Sequence, residues 1–519
     1  MEEGLLGGVK WELEGDTLTL KPKDGNEGTF ALGNKPLPEN TGNILQVKHI
    51  KTTGVLHCEG KVLEKMFSFP KLKTADLSAL ETSQATSMLR MFHGCSSLEL
   101  LNLSNFDTSN IQNMGFMFQD CKSLKTLDIS NFNTSKVKNM NSMFGSCKNL
   151  KTLDLSNFDT KNVNSMWGMF DRCTKLETLN LSSFNTSKVT NMSFMFVVCR
   201  LLTNLNLSTF DTSNVTDMVG MFEGCENLEG LDLSHFDTSK VRDMSRMFND
   251  CLALEKLDLS GFNTSKVICT SDMFRSCPSL TDLDVSNFDT GNVVNMNSMF
   301  RDCKDIETLD VSSFNTSKVF VMDCMFRGCE SLKDLDLSSF DTGSVKGMTK
   351  MFYNCFDLER IDFSRFNPEH IETYDLGLFT CGLLKEIIIS DELEERYKIF
   401  SPLFLCDTKM ERFVKNSAVF VDLLTKIEKV TGCDLAKERE VFSSATLNDW
   451  NEVFAYKMSQ GVAPNERVLN IIKIIKHDTN SQYLTNNEIQ YATKNLEACG
   501  IVSDIQAYLS GVPVEDILA

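Results

Sequence analysis

The sequence predicts an α/β solenoid, a curved stack of repeats in which each turn holds a short strand and a short helix. Two observations carry this prediction. Cysteine recurs every 26 residues from Cys95 to Cys381, and the pattern M-x-x-M-F-x-x-C-x-x-L-x-x-L-D-L-S-x-F-[D/N]-T-S-x-V is rewritten around it. A fixed period of about 20 to 50 residues is typical of a solenoid, because each unit buries its apolar side only by stacking on its neighbours.

The first element is a β-hairpin. Apolar and polar residues alternate within residues 9–32, on both sides of Gly15. This alternation is typical of two half-buried strands joined by a tight turn. Because a solenoid exposes an open edge at its first strand, we interpret residues 1–65 as an N-terminal hairpin cap and lead-in.

The repeats occupy residues 66–390, and their strand positions give about 13 turns. L-x-x-L-D-L-S alternates as a short strand does, and the following [D/N]-T-S is rich in turn-forming residues. Met140, Met143, Phe144 and Cys147 are spaced by three and four, which favours a short helix. Strand, turn, short helix and turn form the plan of a leucine-rich repeat.

Of the 18 cysteines, 12 share one position of the repeat, beside Met, Phe and Leu. We interpret them as a buried column of free thiols, because unpaired Cys behaves as a small hydrophobic residue. Such a column suits a reducing compartment better than an oxidising one.

L-D-L-S-x-F-D-T-S-x-V followed by M-x-x-M-F-x-x-C resembles the BspA-like leucine-rich-repeat family of surface proteins. The resemblance covers residues 66–390, and the WELEGDTLTL hairpin is similar to the family's lead-in. It implies a curved solenoid used for adhesion or protein binding. Family members usually carry an export signal or a membrane anchor, and the sequence shows no secretory signal. Because the cysteine usage favours a reducing compartment, we expect a cytoplasmic location. The resemblance favours the alternative of export or cell-surface display by a route not visible as a signal peptide.

The last segment, residues 391–519, departs from the repeat. Its apolar residues fall at helical spacing, and Thr485 and Glu488 have the spacing of a capping box. We predict a C-terminal all-α domain, which either caps the stack or carries an activity of its own. Cys433 and Cys499 are candidates for a cysteine-dependent ubiquitin ligase, but neither matches the Cys-x-Asp motif of that domain.

An acidic ladder is the candidate binding site. The strand residue between the two leucines of L-D-L points away from the apolar core, onto the concave face of the stack. It is Asp in eight turns: Asp128, Asp154, Asp232, Asp258, Asp284, Asp310, Asp336 and Asp362. Three interpretations stay open: carboxylates stabilised by Ser and Thr of the adjoining turn, a recognition surface for a basic peptide or protein, and an array of calcium sites. Calcium is the weakest, because each ion needs six to eight oxygen ligands.

Composition excludes several function classes. A net charge of −19 argues against nucleic acid, whose phosphates need clustered Lys and Arg. No run approaches the ~20 apolar residues that cross a bilayer. The six His are scattered, and no catalytic or phosphate-binding motif is present, so we expect no enzyme activity, cofactor or metal.

The sequence therefore predicts a non-enzymatic scaffold that binds a protein or peptide, possibly a basic one, through the concave face. The alternatives are an effector in which the repeats select the target and residues 391–519 act on it, and an adhesin-type surface protein. The sequence does not define the oligomeric state.

Overall fold

The computed structural model describes residues 2–30, 37, 46–58, 63–367, 370, 376–378, 381, 383 and 386–389. The chain divides into two compact units, Met1–Cys303 and Lys304–Ala519. The predicted all-α domain, with Cys433 and Cys499, lies outside the described residues, and its boundaries stay a prediction. In each unit the repeats form a β-solenoid, with about 12 turns in the described residues taken together.

The first unit opens with an antiparallel meander of β1 (Glu2–Leu6), β2 (Val9–Glu14) and β3 (Thr17–Pro22). The next strand, β4 (Glu27–Phe30), belongs to a second sheet, in which its pairing is parallel. The predicted hairpin is formed by β2 and β3, with Leu13 opposite Leu18. On its other edge β3 pairs in parallel with the next strand of the sheet, so the hairpin covers the first strand edge of the stack.

Short parallel strands follow, one beside the next. In the first unit they are β5 (His49–Thr52), β6 (Val55–Cys58), β7 (Thr74–Asp76), β8 (Leu80–Glu81), β9 (Leu100–Asn102), β10 (Thr152–Asp154), β11 (Thr178–Asn180), β12 (Gly230–Asp232) and β13 (Lys256–Asp258). In the second unit they are β14 (Asp334–Asp336), β15 (Arg360–Phe363) and β16 (Glu386–Ile389). The sheet orders are β1-β2-β3-β5-β7-β9, β4-β6-β8, β10-β11, β12-β13 and β14-β15-β16.

From β7 onward the strands pair with an offset of one repeat. Asp232 lies opposite Asp258, and Asp336 lies opposite Asp362. Equivalent side chains therefore lie beside one another in neighbouring turns.

The predicted short helix of each repeat is wrong. The Met-to-Cys segment is a run of turns, and no helix forms in the repeats that the structure describes. Its N–H groups bond alternately within the turn and to the next repeat: Met117 N donates to Met114 O at 3.2 Å, and Phe118 N donates to Met143 O at 2.9 Å. A helix needs every N–H to bond four residues back. The spacing of three and four is produced by tight turns instead.

A second line of parallel bridges joins the residues that precede each methionine. In the first unit it links Ser87, Asn113, Asn139, Ser165, Asn191, Asp217, Asp243, Cys269 and Asn295 in that order. Neighbouring turns are thus tied by backbone hydrogen bonds on the strand side and on the methionine side, which fixes their register twice.

The core consists of columns of identical side chains. Phe118, Phe144 and Phe170 are fully buried, and neighbouring rings lie 5.7–5.8 Å apart and nearly parallel. The predicted thiol column is confirmed, since the repeat cysteines are free and buried. Each thiol also has a partner across the turns; for example, Cys147 Sγ donates to Phe118 O at 3.2 Å.

Within the described ranges, no helix combines the length and the apolar character that crossing a bilayer requires. The same residues bring no three His, Cys, Asp or Glu side chains together in a group suited to a metal ion.

Candidate functional site

The acidic ladder lies on an exposed face that we call the strand face. Its residues lie at or next to the last residue of the short strands or, at Asp128, Asp284 and Asp310, occupy the equivalent position in turns that form no strand there. In the first unit it comprises Asp128, Asp154, Asp232, Asp258 and Asp284, and in the second unit Asp310, Asp336 and Asp362. All are exposed except Asp362, which is half-buried. Each follows a buried or nearly buried residue of the core, as Asp154 follows Leu153, so strand alternation directs the carboxylates outward.

One oxygen of each ladder carboxylate closes a local turn. Asp128 Oδ1 accepts hydrogen bonds from Ser130 N at 3.1 Å and from Ser130 Oγ at 2.7 Å. The same Oδ1-to-backbone contact, two residues on, recurs in all eight positions of the ladder. This is an Asx turn, in which the short polar side chain replaces a backbone acceptor.

These hydrogen bonds favour the charged form of six ladder residues. The Ser130 hydroxyl and backbone N–H lower the pKa of Asp128 below its ordinary value. At Asp258 the neighbouring carboxylates oppose this effect, but the bonds from Ser260 outweigh them and the pKa is still lowered. The pKa is lowered in the same way at Asp154, Asp232, Asp284 and Asp336, so at these positions the serine bonds favour the carboxylate form.

Asparagine closes the same Asx turn as aspartate. Asn102, Asn180 and Asn206 occupy ladder positions in other turns, and their Oδ1 atoms accept the same backbone bond at 3.0–3.1 Å. The turn therefore needs one acceptor oxygen and no negative charge. The eight carboxylates carry a charge that the turn geometry does not require.

A second row of side chains lies beside the ladder. The residues two positions before each ladder residue are Thr126, Thr152, Thr178, Asn204, Gly230, Lys256, Asp282, Thr308, Asp334 and Arg360. All are exposed except the half-buried Arg360. The strand face therefore combines a repeated acidic row with a variable row.

A further exposed cluster was missed by sequence reasoning. Trp167 stands where other repeats have a smaller residue, and its ring lies 6.4 Å from those of Phe116 and Phe194. The signal was present, since Trp occurs only 3 times in the chain and this one interrupts the repeat pattern. The spacing predicts a helix at Trp167, and helical spacing within one repeat gives no indication of contacts between turns.

The family described as "Mycoplasma protein of unknown function, DUF285" matches the repeats in five overlapping segments, residues 61–179, 125–206, 164–282, 198–306 and 270–380. The chain belongs to this family. The repeated match confirms that the 26-residue motif defines a repeat family, as the resemblance to leucine-rich-repeat proteins predicted. No curated protein matches the DUF285 chain.

Two solved structures are similar to the DUF285 chain. One is a leucine rich cell surface protein from Faecalibacterium prausnitzii A2-165, at 17% identity and a TM-score of 0.36, covering 76% of this chain and 97% of that chain. The other is a leucine rich repeat protein from T. pallidum, at 19% identity and a TM-score of 0.24, covering 43% of this chain and 88% of that chain. The cytoplasmic location and the exported alternative both stay predictions for the DUF285 chain.

Proposed function

We propose that this protein is a non-enzymatic binding scaffold whose strand face recognises a basic protein or peptide. One observation carries the proposal: the Asx turns use a single acceptor oxygen, yet eight turns place a carboxylate there, and seven of these carboxylates are exposed. Asn at other turns supports the same geometry without charge. A charge that the fold does not need is available to a ligand.

The charge pattern indicates what kind of ligand fits. Neighbouring turns are ~4.8 Å apart, so Asp232, Asp258 and Asp284 of the first unit form a closely spaced acidic row. The chain as a whole carries −19, which attracts basic partners and accelerates their encounter. In this proposal the acidic row supplies attraction, and the exposed residues of the variable row select among basic ligands.

The test compares two triple variants of the full-length chain. In the ladder variant, Asp232, Asp258 and Asp284 are changed to Asn. In the control variant, Asp107, Asp211 and Asp237, which close Asx turns in another register, are changed to Asn. Asn occurs naturally in both registers, so both variants lose the same charge and keep their turns. Fluorescence anisotropy with a labelled peptide of alternating Lys and Gly measures affinity.

We expect the ladder variant to bind about tenfold more weakly, and the control variant to stay within about twofold. Added salt should weaken wild-type binding and reduce the difference between the variants. An equal loss in both variants would assign binding to overall charge and contradict the proposal. So would unchanged affinity in the ladder variant, provided that urea unfolding shows the three proteins to be equally stable.

A further inference from the structure

The missed aromatic cluster lies in the Met-to-Cys segments of the first unit, away from the short strands. Trp167 lies between Phe116 and Phe194, with ring planes inclined at 54° and 82°. Its side chain is 36% exposed, and both phenylalanines are half-buried. These rings are separate from the stacked phenylalanine column, which is fully buried.

The two phenylalanines are held in an unfavourable backbone conformation. Phe116 and Phe194 both have φ of 58°, in the left-handed region that bulky residues avoid. The other turns are left-handed at this register too, with glycine at Gly168 and Gly220 and residues such as Ser142 elsewhere. Phe116 and Phe194 are the aromatic residues at this register in the described turns, and both lie beside Trp167.

Carboxylates lie beside these rings. A Cβ added at Gly220 would lie 2.8 Å from Glu223 Oε2 and 2.9 Å from two ring carbons of Phe194. The carboxylate and the edge of the ring therefore approach the same position. Asp120 and Glu223 both act electrostatically on Asp171, four residues after Trp167. Burial raises the pKa of Asp171 above its ordinary value, as expected for a carboxylate short of opposite charge.

Two buried polar atoms at this place have no partner within the described chain. Asp171 Oδ1 accepts no hydrogen bond, although Oδ2 lies 3.3 Å from Arg172 Nη1. Ser142 is fully buried, and its Oγ is likewise unpartnered. Both residues flank Gly168, next to Trp167 in the chain, since Ser142 Oγ and Asp171 Cβ lie 2.9 and 3.6 Å from the position of an added Cβ there. Buried polar atoms normally have partners. Ser142 is out of reach of a ligand, but the Asp171 side chain is partly exposed, and its carboxylate can accept a hydrogen bond from one.

The chain shows which donor group suits such rings. Arg90 places its guanidinium 5.0 Å from the centre of the Phe116 ring. In the second unit Arg327 does the same over Tyr353, at 5.1 Å. A guanidinium is planar, weakly hydrated and rich in donors, so it stacks on an aromatic face while bonding a carboxylate at its edge.

We propose that Phe116, Trp167, Phe194, Asp171 and Glu223, the turn patch, bind an arginine side chain of a partner peptide. The guanidinium stacks on the exposed Trp167 ring and donates to the partly exposed carboxylate of Asp171. This site is distinct from the strand face and does not depend on the function proposed for it. It adds a second contact surface with a preference for arginine over lysine.

The test follows the indole N–H signals of the full-length chain labelled with ¹⁵N-tryptophan. The three Trp residues give three signals, and Trp167→Phe identifies that of Trp167. Three capped peptides serve as probes, with two Arg, two Lys or two citrulline residues separated by glycine. Citrulline keeps the shape of arginine and lacks its charge. We expect the Arg peptide to shift the Trp167 signal and to leave buried Trp11 unmoved, the Lys peptide to bind about tenfold more weakly, and the citrulline peptide not to bind.

Variants add an independent readout through anisotropy of a labelled Arg peptide. Trp167→Ala should weaken binding by about tenfold, and Asp171→Asn should weaken it severalfold. The matched control is Ile268→Ala, which removes another exposed apolar side chain of the same unit and should leave affinity within about twofold. The triple ladder variant should leave the Trp167 shift intact, so that failure of one surface is distinguishable from failure of the other.

Three outcomes would overturn the proposal. The first is a Trp167 signal that does not move with the Arg peptide, and the second is an equal response to the Lys peptide. The third is a Trp167 signal that shifts with protein concentration and not with added peptide. This result would show that a second copy of the chain occupies the turn patch.

Discussion

At the scale of single residues, the turns depend on left-handed backbone conformations twice in each Met-to-Cys segment. Phe116 and Asp120 have φ of 58° and 63°, and Gly224 and Gly328 occupy the position of Asp120 in other turns. A left-handed residue other than glycine costs about 1–2 kcal/mol. The conformation persists because it directs the N–H to the next turn, as in the 2.8 Å bond from Asp120 N to Gly145 O.

A pair of opposite substitutions tests this backbone requirement. Ser276 has φ of 55°, and we expect Ser276→Gly to change the free energy of unfolding by between zero and about +1 kcal/mol, because relief of strain is partly offset by the entropy of glycine. Gly224 has φ of 70°, and Gly224→Ala should destabilise by about 1–2 kcal/mol. The new Cβ would also lie 3.2 Å from Val198 Cγ2. Urea unfolding measures both changes, and a stabilising Gly224→Ala would contradict the argument.

At the scale of the repeated element, a buried threonine joins each turn to the next. It occurs at Thr82, Thr108, Thr134, Thr160, Thr186, Thr212, Thr238, Thr264, Thr290, Thr316 and Thr342. Thr160 Oγ1 donates to Asn185 O at 2.9 Å and accepts from Asn185 N at 2.8 Å. The hydroxyl thus satisfies both backbone groups of a residue in the following turn, where no strand pairing reaches.

Replacing this hydroxyl by a methyl group, which leaves the side-chain volume nearly unchanged, should lower the free energy of unfolding. Thr160→Val leaves the N–H and C=O of Asn185 without a partner, and we expect a loss of about 2–3 kcal/mol in the free energy of unfolding. Thr160→Ser keeps the hydroxyl and loses only a methyl group, so its cost should be about 1 kcal/mol. Both are measured by urea unfolding; similar values for the two variants would show that packing dominates over the hydrogen bonds.

The same element shows what the sequence could predict. The strand register and the hairpin around Gly15 follow from alternation, which is a local property of the chain. The helix prediction failed because residues three and four apart share one side in a tight turn as they do in a helix. Bonds such as Phe118 N to Met143 O join different repeats, and no spacing within one repeat reveals them. The turn patch escaped prediction for the same reason, since Phe116, Trp167 and Phe194 meet only when turns stack.

At the scale of the whole molecule, the buried thiols make the folded protein less stable in alkaline solution. Burial raises the pKa of Cys173 from 9.0 to about 12, and does the same for Cys95, Cys225 and Cys277. In the unfolded chain these thiols ionise near the ordinary value. Between pH 9 and 12 the folded protein therefore binds more protons than the unfolded chain, and rising pH favours unfolding.

The contribution of one thiol can be isolated with Cys173→Ala. The stability that wild type has over this variant should be fully present below pH 9 and should shrink by about 1.4 kcal/mol between pH 8 and pH 10. Urea unfolding at the two pH values measures this stability difference. A difference between wild type and variant that does not change with pH would contradict the raised pKa of Cys173. In the native protein at pH 8, iodoacetamide should modify the half-exposed Cys269 and Cys324 before any cysteine of the column.

The pairing of each turn with the residues 26 positions further on has a genetic consequence. Deletion or duplication of one whole repeat returns every remaining donor to an equivalent acceptor, whereas an insertion of another length inside a line of pairing shifts the register at that point. Unequal crossing-over between the similar repeats of one gene would therefore yield foldable proteins of different lengths. Related strains should differ in the number of turns, in steps of a whole repeat, more readily than in the length of any single turn.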